Sequence, residues 1–126
     1  MGLPTSEAAV REAEQQLGRT LPAALRERLL RDNGGDVLVC IEGEEDEEWQ
    51  LHPVWDASDR ETMRRSSNHI VAEQESARAY PDFPDGAISI AQYDGDQLVL
   101  LPDDDVPRLW LHETGDVWDV QVVWEP

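Results

Sequence analysis

Glu14-Gln15-Gln16-Leu17-Gly18-Arg19-Thr20-Leu21-Pro22-Ala23-Ala24-Leu25-Arg26-Glu27-Arg28-Leu29-Leu30-Arg31-Asp32-Asn33-Gly34-Gly35 is the stretch that decides the fold. It reads as the end of one amphipathic helix, a short turn, a second helix and a hard stop. Gly18 suits a left-handed helix terminus. Pro22 suits the first position of the next helix, where its missing N–H costs nothing. Leu21, Leu25 and Leu29 recur at helical spacing and form an apolar stripe. Arg26, Arg28 and Arg31 lie toward the C-terminal half, where the helix dipole favours cations.

Upstream, Thr5 or Ser6 can cap the first helix, and Ala9, Val10, Ala13 and Leu17 share one face. Downstream, Val37 to Ile41 reads as a strand, with Cys40 as a buried small hydrophobe. Glu42 to Glu48 is too densely charged to bury and reads as a solvated loop. A second strand is expected at about Trp49 to His52, ending at Pro53. Asp56 to Asn68 is polar, either a loop or a short helix around Arg60 to Arg65. Asn68 is the expected cap of a helix from His69 to Ala79, with Ile70 and Ala77 inward and Val71 a further candidate. Tyr80 to Gly86 acts as a rigid connector.

The last third reads as an antiparallel meander. Ile88 and Ile90 alternate with Ser89, Asp94-Gly95 is a hairpin turn, and Leu98 to Leu101 is the next strand. Asp103, Asp104 and Asp105 sit in a turn between Pro102 and Pro107. Leu109-Trp110-Leu111 follows, then a turn over Glu113 to Asp116. Trp118, Val120, Val122 and Trp124 share one parity, which predicts a single strand with these residues inward. The expected core comprises Leu21, Leu25, Leu29, Ile88, Ile90, Leu100, Val120 and Val122.

Charge narrows the function. The 126 residues carry 28 acidic and 10 basic side chains, all ten arginine, for a net charge of −18. Such a chain repels phosphate backbones and anionic lipid, so neither nucleic acid nor membrane is an expected partner. A basic protein would be attracted and steered. With one cysteine, no internal disulfide can form. No apolar run approaches the roughly 20 residues of a membrane span, and no signal segment is evident, so the cytoplasm is the default compartment. Met1-Gly2-Leu3-Pro4-Thr5-Ser6 matches the N-myristoylation pattern but lacks a polybasic second anchor, and is read as coincidence.

No catalytic or metal motif emerges. His52, His69 and His112 are scattered, with no His-x-x-x-His or Cys-x-x-Cys pair for zinc. Asp94-Gly95-Asp96 and Asp103 to Asp105 lack the further donors of a calcium loop and read as turns. There is no nucleophile elbow. Gly34-Gly35 follows a helix, where it stops the chain rather than cradling phosphate. No cofactor, metal or enzymatic activity is expected.

Three runs together resemble the SUKH superfamily, which includes a yeast cell-wall-assembly regulator and many bacterial proteins. The first is the opening stretch, with its Glu14-x-x-Leu17-Gly18, Leu21-Pro22, Leu25-x-x-x-Leu29 and Asn33-Gly34-Gly35 signature. The second is Ile90-Ala91-Gln92-Tyr93-Asp94-Gly95-Asp96-Gln97-Leu98, and the third His112-Glu113-Thr114-Gly115-Asp116. The likeness covers both ends, with a diverged middle from Glu42 to Asp85. It implies one domain over residues 1–126 of the α+β class: two N-terminal helices, a mostly antiparallel sheet and one further helix packed on one face. The family usually closes with a C-terminal helix; here the last residues read as a strand, so whatever that helix covers in relatives is expected to be covered otherwise or left exposed.

The resemblance further implies a protein-binding module, most often an immunity protein that neutralises a toxin of nuclease or deaminase type. The alternative is an acidic scaffold or regulatory domain with a different basic partner. Candidate partner-binding residues are the acidic run Glu44, Glu45, Asp46, Glu47 and Glu48, the turn aspartates Asp103, Asp104 and Asp105, and three tryptophans. Trp49 and Trp55 flank acids and a proline, and Trp110 alternates outward from Leu109 and Leu111. Aromatic residues within a charged rim are favoured as interface anchors.

Overall fold

The segment after the second glycine stop sets the architecture. The computed structural model describes residues 3–125, so Gly2 of the myristoylation pattern lies outside the described residues. Helix α1 (Glu7–Leu17) is capped by the Ser6 hydroxyl, which accepts from the Ala9 N–H, and ends at Gly18 with φ 78°. Helix α2 (Ala23–Arg31) starts after Pro22. Then come β1 (Asp36–Cys40), β2 (Glu47–Leu51), α3 (Arg60–Arg65) and α4 (Ile70–Arg78). β3 (Ile88–Tyr93), β4 (Asp96–Leu100), β5 (Arg108–Trp110), β6 (Val117–Asp119) and β7 (Gln121–Val123) complete the chain. The class is α+β, as the sequence predicted. The ambiguous Asp56–Asn68 stretch contains the short α3, started by a reciprocal capping box between Asp59 and Thr62. The cap of α4 falls on His69, not Asn68, and its ring accepts from the Ala72 N–H.

All pairings are antiparallel, in the order β6-β5-β4-β3-β2-β1-β7. This order has a geometric consequence. In a flat sheet, β6 and β7 would be separated by six strand spacings, about 29 Å. Yet only Val120 separates them in sequence, so their near ends lie within about 7 Å. The sheet therefore curls until one segment, residues 117–123, hydrogen-bonds β5 with its first half and β1 with its second. The single strand predicted for Trp118 to Trp124 is thus two short strands around a joint. It pairs with β5 and β1, so it covers the edges of both strands.

The main core fills the inside of this curl. Val10, Leu21, Leu25 and Leu29 from the two helices meet Val37, Val39, Trp49, Leu51, Ile88, Ile90, Leu98, Leu100 and Leu109. Six of the eight expected core residues are fully buried. Val120 and Val122 pack against the core but stay half-buried, because the closing segment forms its rim. Trp118, expected inward, pairs opposite the buried Leu109 and so points to the correct face, yet it is 41% exposed. Alternation fixes the face; it does not fix the depth. Cys40 is likewise half-buried rather than enclosed. Burial and a hydrogen bond to Asp46 push its thiol above the usual range.

The other face of the sheet carries a smaller cluster of Ala87, Val99 and Trp110, covered by Tyr80, Phe83 and Leu101. Tyr80 and Phe83 meet the Trp110 indole edge-on, with centroids 5.6 and 5.2 Å away. The connector is therefore also a lid for this face. Beside it runs a buried polar chain. Ser89 Oγ donates to Gln97 Oε1 (2.5 Å) and lies 3.1 Å from His52 Nε2. From α4, the Gln74 side chain accepts from the Ser89 N–H (2.8 Å) and donates to the Ser89 carbonyl (2.7 Å). One amide side chain thus acts as a missing strand residue where β3 bulges between Ser89 and Ala91.

Candidate partner-binding surface

In an up-and-down meander, alternate hairpin tips fall at the same end of the sheet. The β1–β2, β3–β4 and β5–β6 turns do so here. The first tip carries Glu42, Glu44, Glu45 and Asp46, followed by Glu47 and Glu48 at the start of β2. The second is a two-residue turn, Asp94 and Gly95, with φ of 50° and 91°, the paired positive values of a type I′ hairpin. Gly95 is required twice over, since a Cβ there would meet the His112 ring at 2.8 Å. The third tip carries His112, Glu113 and Asp116.

The second and third tips are joined to one another. Asp96 Oδ1 accepts from the backbone N–H of His112 (3.0 Å) and lies 2.8 Å from its Nδ1, locking the second tip to the third. Glu44, Glu45, Asp46, Glu47 and Glu48 line a shallow cleft with Tyr93 from the end of β3. Tyr93 is 46% exposed and stacks on buried Trp49, centroids 5.9 Å apart. Among the described residues, no arginine forms an ion pair with Glu42 or with any acid from Glu44 to Glu48. This end of the molecule gathers the acids of all three tips beside the half-exposed ring of Tyr93.

The remaining candidates divide sharply. Asp103, Asp104 and Asp105 lie in the β4–β5 turn, at the opposite end; Asp103 takes the turn's positive φ of 60°, and Asp104 and Asp105 are engaged by arginines. Arg19 donates to the carbonyls of Leu101 (2.9 Å) and Asp104 (3.2 Å) and pairs with Asp105 at 3.1 Å. Asp104 accepts from the Val106 N–H and pairs with Arg108 at 3.3 Å, and these donors hold its carboxyl below the usual range. These aspartates build a turn and dock it on the α1–α2 connection. Trp49 and Trp110 are both buried, so neither is an exposed anchor. Trp49 faces the main core, and Trp110 does point away from Leu109, but into the face that Tyr80 and Phe83 cover. Trp55 is 43% exposed, with its ring 5.4 Å from that of His69, beyond the far end of β2 and away from the acidic tips. Tyr93, Asp94, Asp96, His112 and Glu113 were not singled out as partner-binding residues. The legible signal was the alternation of hairpin tips, which brings the first, third and fifth turns together.

The His52–Ser89 pair superficially offers a nucleophile and a base. Both side chains are enclosed, at 2% and 0% exposure, and the hydroxyl proton is committed to Gln97. No substrate atom can reach Ser89 Oγ, so the chain is structural. Burial pushes the His52 pKa down to about 4 from 6.5. The sign of the consequence is fixed: above pH 6.5 the ring is neutral in both states, whereas between 6.5 and 4 only the unfolded chain takes up the proton. Stability should therefore fall as pH drops through that window, by about 3 kcal/mol at pH 4. His69, also lowered by burial, acts in the same direction. Urea unfolding of wild type and His52→Gln from pH 7 to 4.5 separates the two; parallel curves would remove His52 as the source.

No group of three or more His, Cys, Asp or Glu side chains among the described residues could hold a metal ion. No helix among them is long and apolar enough to cross a membrane. Residues 4–125 match the model of the SMI1/KNR4 family (SUKH-1), and the chain belongs to that family. No curated protein and no solved structure matches it.

Proposed function

We propose that this chain is a non-catalytic binding module that neutralises a basic protein toxin, of nuclease or deaminase type, by occupying its cationic groove. The observation that carries the reading is the convergence of three acidic hairpin tips at one end of the sheet. Family membership supports a binding role, and the toxin as partner extends it by analogy. The net charge of −18 accelerates encounter with a cationic surface, and the tips give that attraction a direction.

The test begins with the partner, recovered from the native cell or as the product of an adjacent toxin gene. Changing Glu44, Glu45, Glu47, Glu48 and Glu113 together to glutamine should slow association about tenfold or more at low salt and flatten its salt dependence. The same changes at Asp103 and Asp105 should leave the association rate within about twofold. Equal rates for wild type and the tip variant would rule out this surface. A partner that binds through the tips, but from whose toxicity this chain gives a co-expressing cell no protection, would favour a regulatory module instead.

A further inference from the structure

The closing segment has an unusual position. Its two halves pair with opposite edges of the sheet through a joint of one residue, Val120. From the order of pairing we infer that residues beyond Val120 can be exchanged between two copies of this chain, giving a dimer in which each β7 completes the other copy's curl.

Every contact that holds β7 would be retained across the exchange. Leu38, Val39 and Cys40 pair with Val123, Val122 and Gln121. Arg28, buried at the end of α2, donates to the Trp124 carbonyl, and Arg31 pairs with Glu125 at 2.6 Å. None of these requires that the strand come from the same chain. The occupant of the vacated β1 edge is a second copy because this clasp fits its own sequence: the valine that faces inward, the carbonyl that Arg28 reaches and the acid that Arg31 reaches, in one register. The joint has room to straighten. Beyond the Cys40–Gln121 pair, Ile41 and Glu42 line an open cleft of about 450 Å³ with Asp119 and Val120. Val120 lies between the two ladders and belongs to neither, so β7 can leave its own β1 at this residue while β6 stays paired with β5, which is the condition under which exchange yields a dimer. Within one chain, self-closure wins at low concentration; exchange competes as protein concentration nears the effective concentration of the tether, about 1 mM. Two copies of charge −18 repel, so added salt should raise the dimer fraction. A dimer built by acidic tips docking on arginines would do the reverse.

Two full-length single-cysteine chains provide the test, Leu38→Cys and Val123→Cys, each with Cys40→Ser. Residues 38 and 123 are direct cross-strand partners, at a spacing a disulfide accepts. The chains, distinguished by an isotopic label, are mixed in urea, refolded at about 1 mM and at about 1 µM, and oxidised. The mixed disulfide should be the main product at the higher concentration and at least about tenfold scarcer at the lower. Mixed disulfide no more than about twice as abundant as either homodimer, the ratio of random pairing, would overturn the exchange. Light scattering on the unmodified sequence provides the second arm. Inserting Gly-Ser-Gly after Val120 should ease self-closure and lower the dimer fraction several-fold, and a fraction unmoved by both the insertion and salt would also refute the proposal.

Discussion

Arg28→Ala should destabilise the protein by about 3–5 kcal/mol, a large share of the total for a domain this size. Arginine is seldom found 1% exposed unless it is fully engaged. Arg28 Nε donates to the Trp124 carbonyl, Nη1 to the Asp32 carbonyl and Nη2 to the Asp36 carbonyl, with the Asp32 carboxylate 3.7 Å away. One guanidinium thereby ties the end of α2, the start of β1 and the closing segment together. Its removal leaves three carbonyls without this donor, and Asp32 Oδ1 already has no partner among the described residues. Lysine should recover little, since one ammonium cannot reach three carbonyls from a planar fork's positions. Denaturant unfolding gives the stability, and amide exchange at Val122 and Val123 gives the location. If the loss is under 1 kcal/mol, or if exchange in β7 is unchanged, Arg28 is not the clasp.

That residue also shows where reading the sequence stops. Helices α1 and α2, their glycine and proline punctuation and the order of strands were legible because they rest on local chemistry and periodicity. Arg28 lies three residues after Leu25, squarely on the buried stripe, yet its charge grouped it with Arg26 and Arg31 as a cation favoured near the helix C-terminus. Only the convergence of carbonyls from Asp32, Asp36 and Trp124 makes burial favourable, and that convergence is a property of the tertiary fold. Trp110 and Trp118 illustrate the same limit in opposite directions. Their parity was right, but one face proved to be covered by Tyr80 and Phe83, and the other ran out at a rim. The acidic run was legible as solvated. That it lies at the same end as the second and third hairpin tips, while Asp104 and Asp105 pair with Arg108 and Arg19 at the far end, follows from strand direction.

Trp49→Ala should cost about 3–5 kcal/mol of stability and should not act as the loss of an interface anchor. Adjacent acids made Trp49 look like an anchor, but its ring is 1% exposed, opposite Val37 on β1 and within the main core. The truncation would leave a cavity in the main core that its neighbours cannot fully fill. It would also remove the surface on which Tyr93 stacks. Trp49→Phe provides the discriminating comparison. The indole Nε1 has no hydrogen-bond partner among the described residues, so phenylalanine forfeits no bond and keeps an aromatic support for Tyr93. Its cost should be about 1 kcal/mol, from volume alone. With a partner in hand, Trp49→Phe should leave both association and dissociation rates near wild type, because the tip carboxylates and Tyr93 stay in place. If dissociation quickens tenfold in Trp49→Phe while its melting temperature is unchanged, the indole itself reaches the partner, and the assignment of Trp49 to the core is wrong.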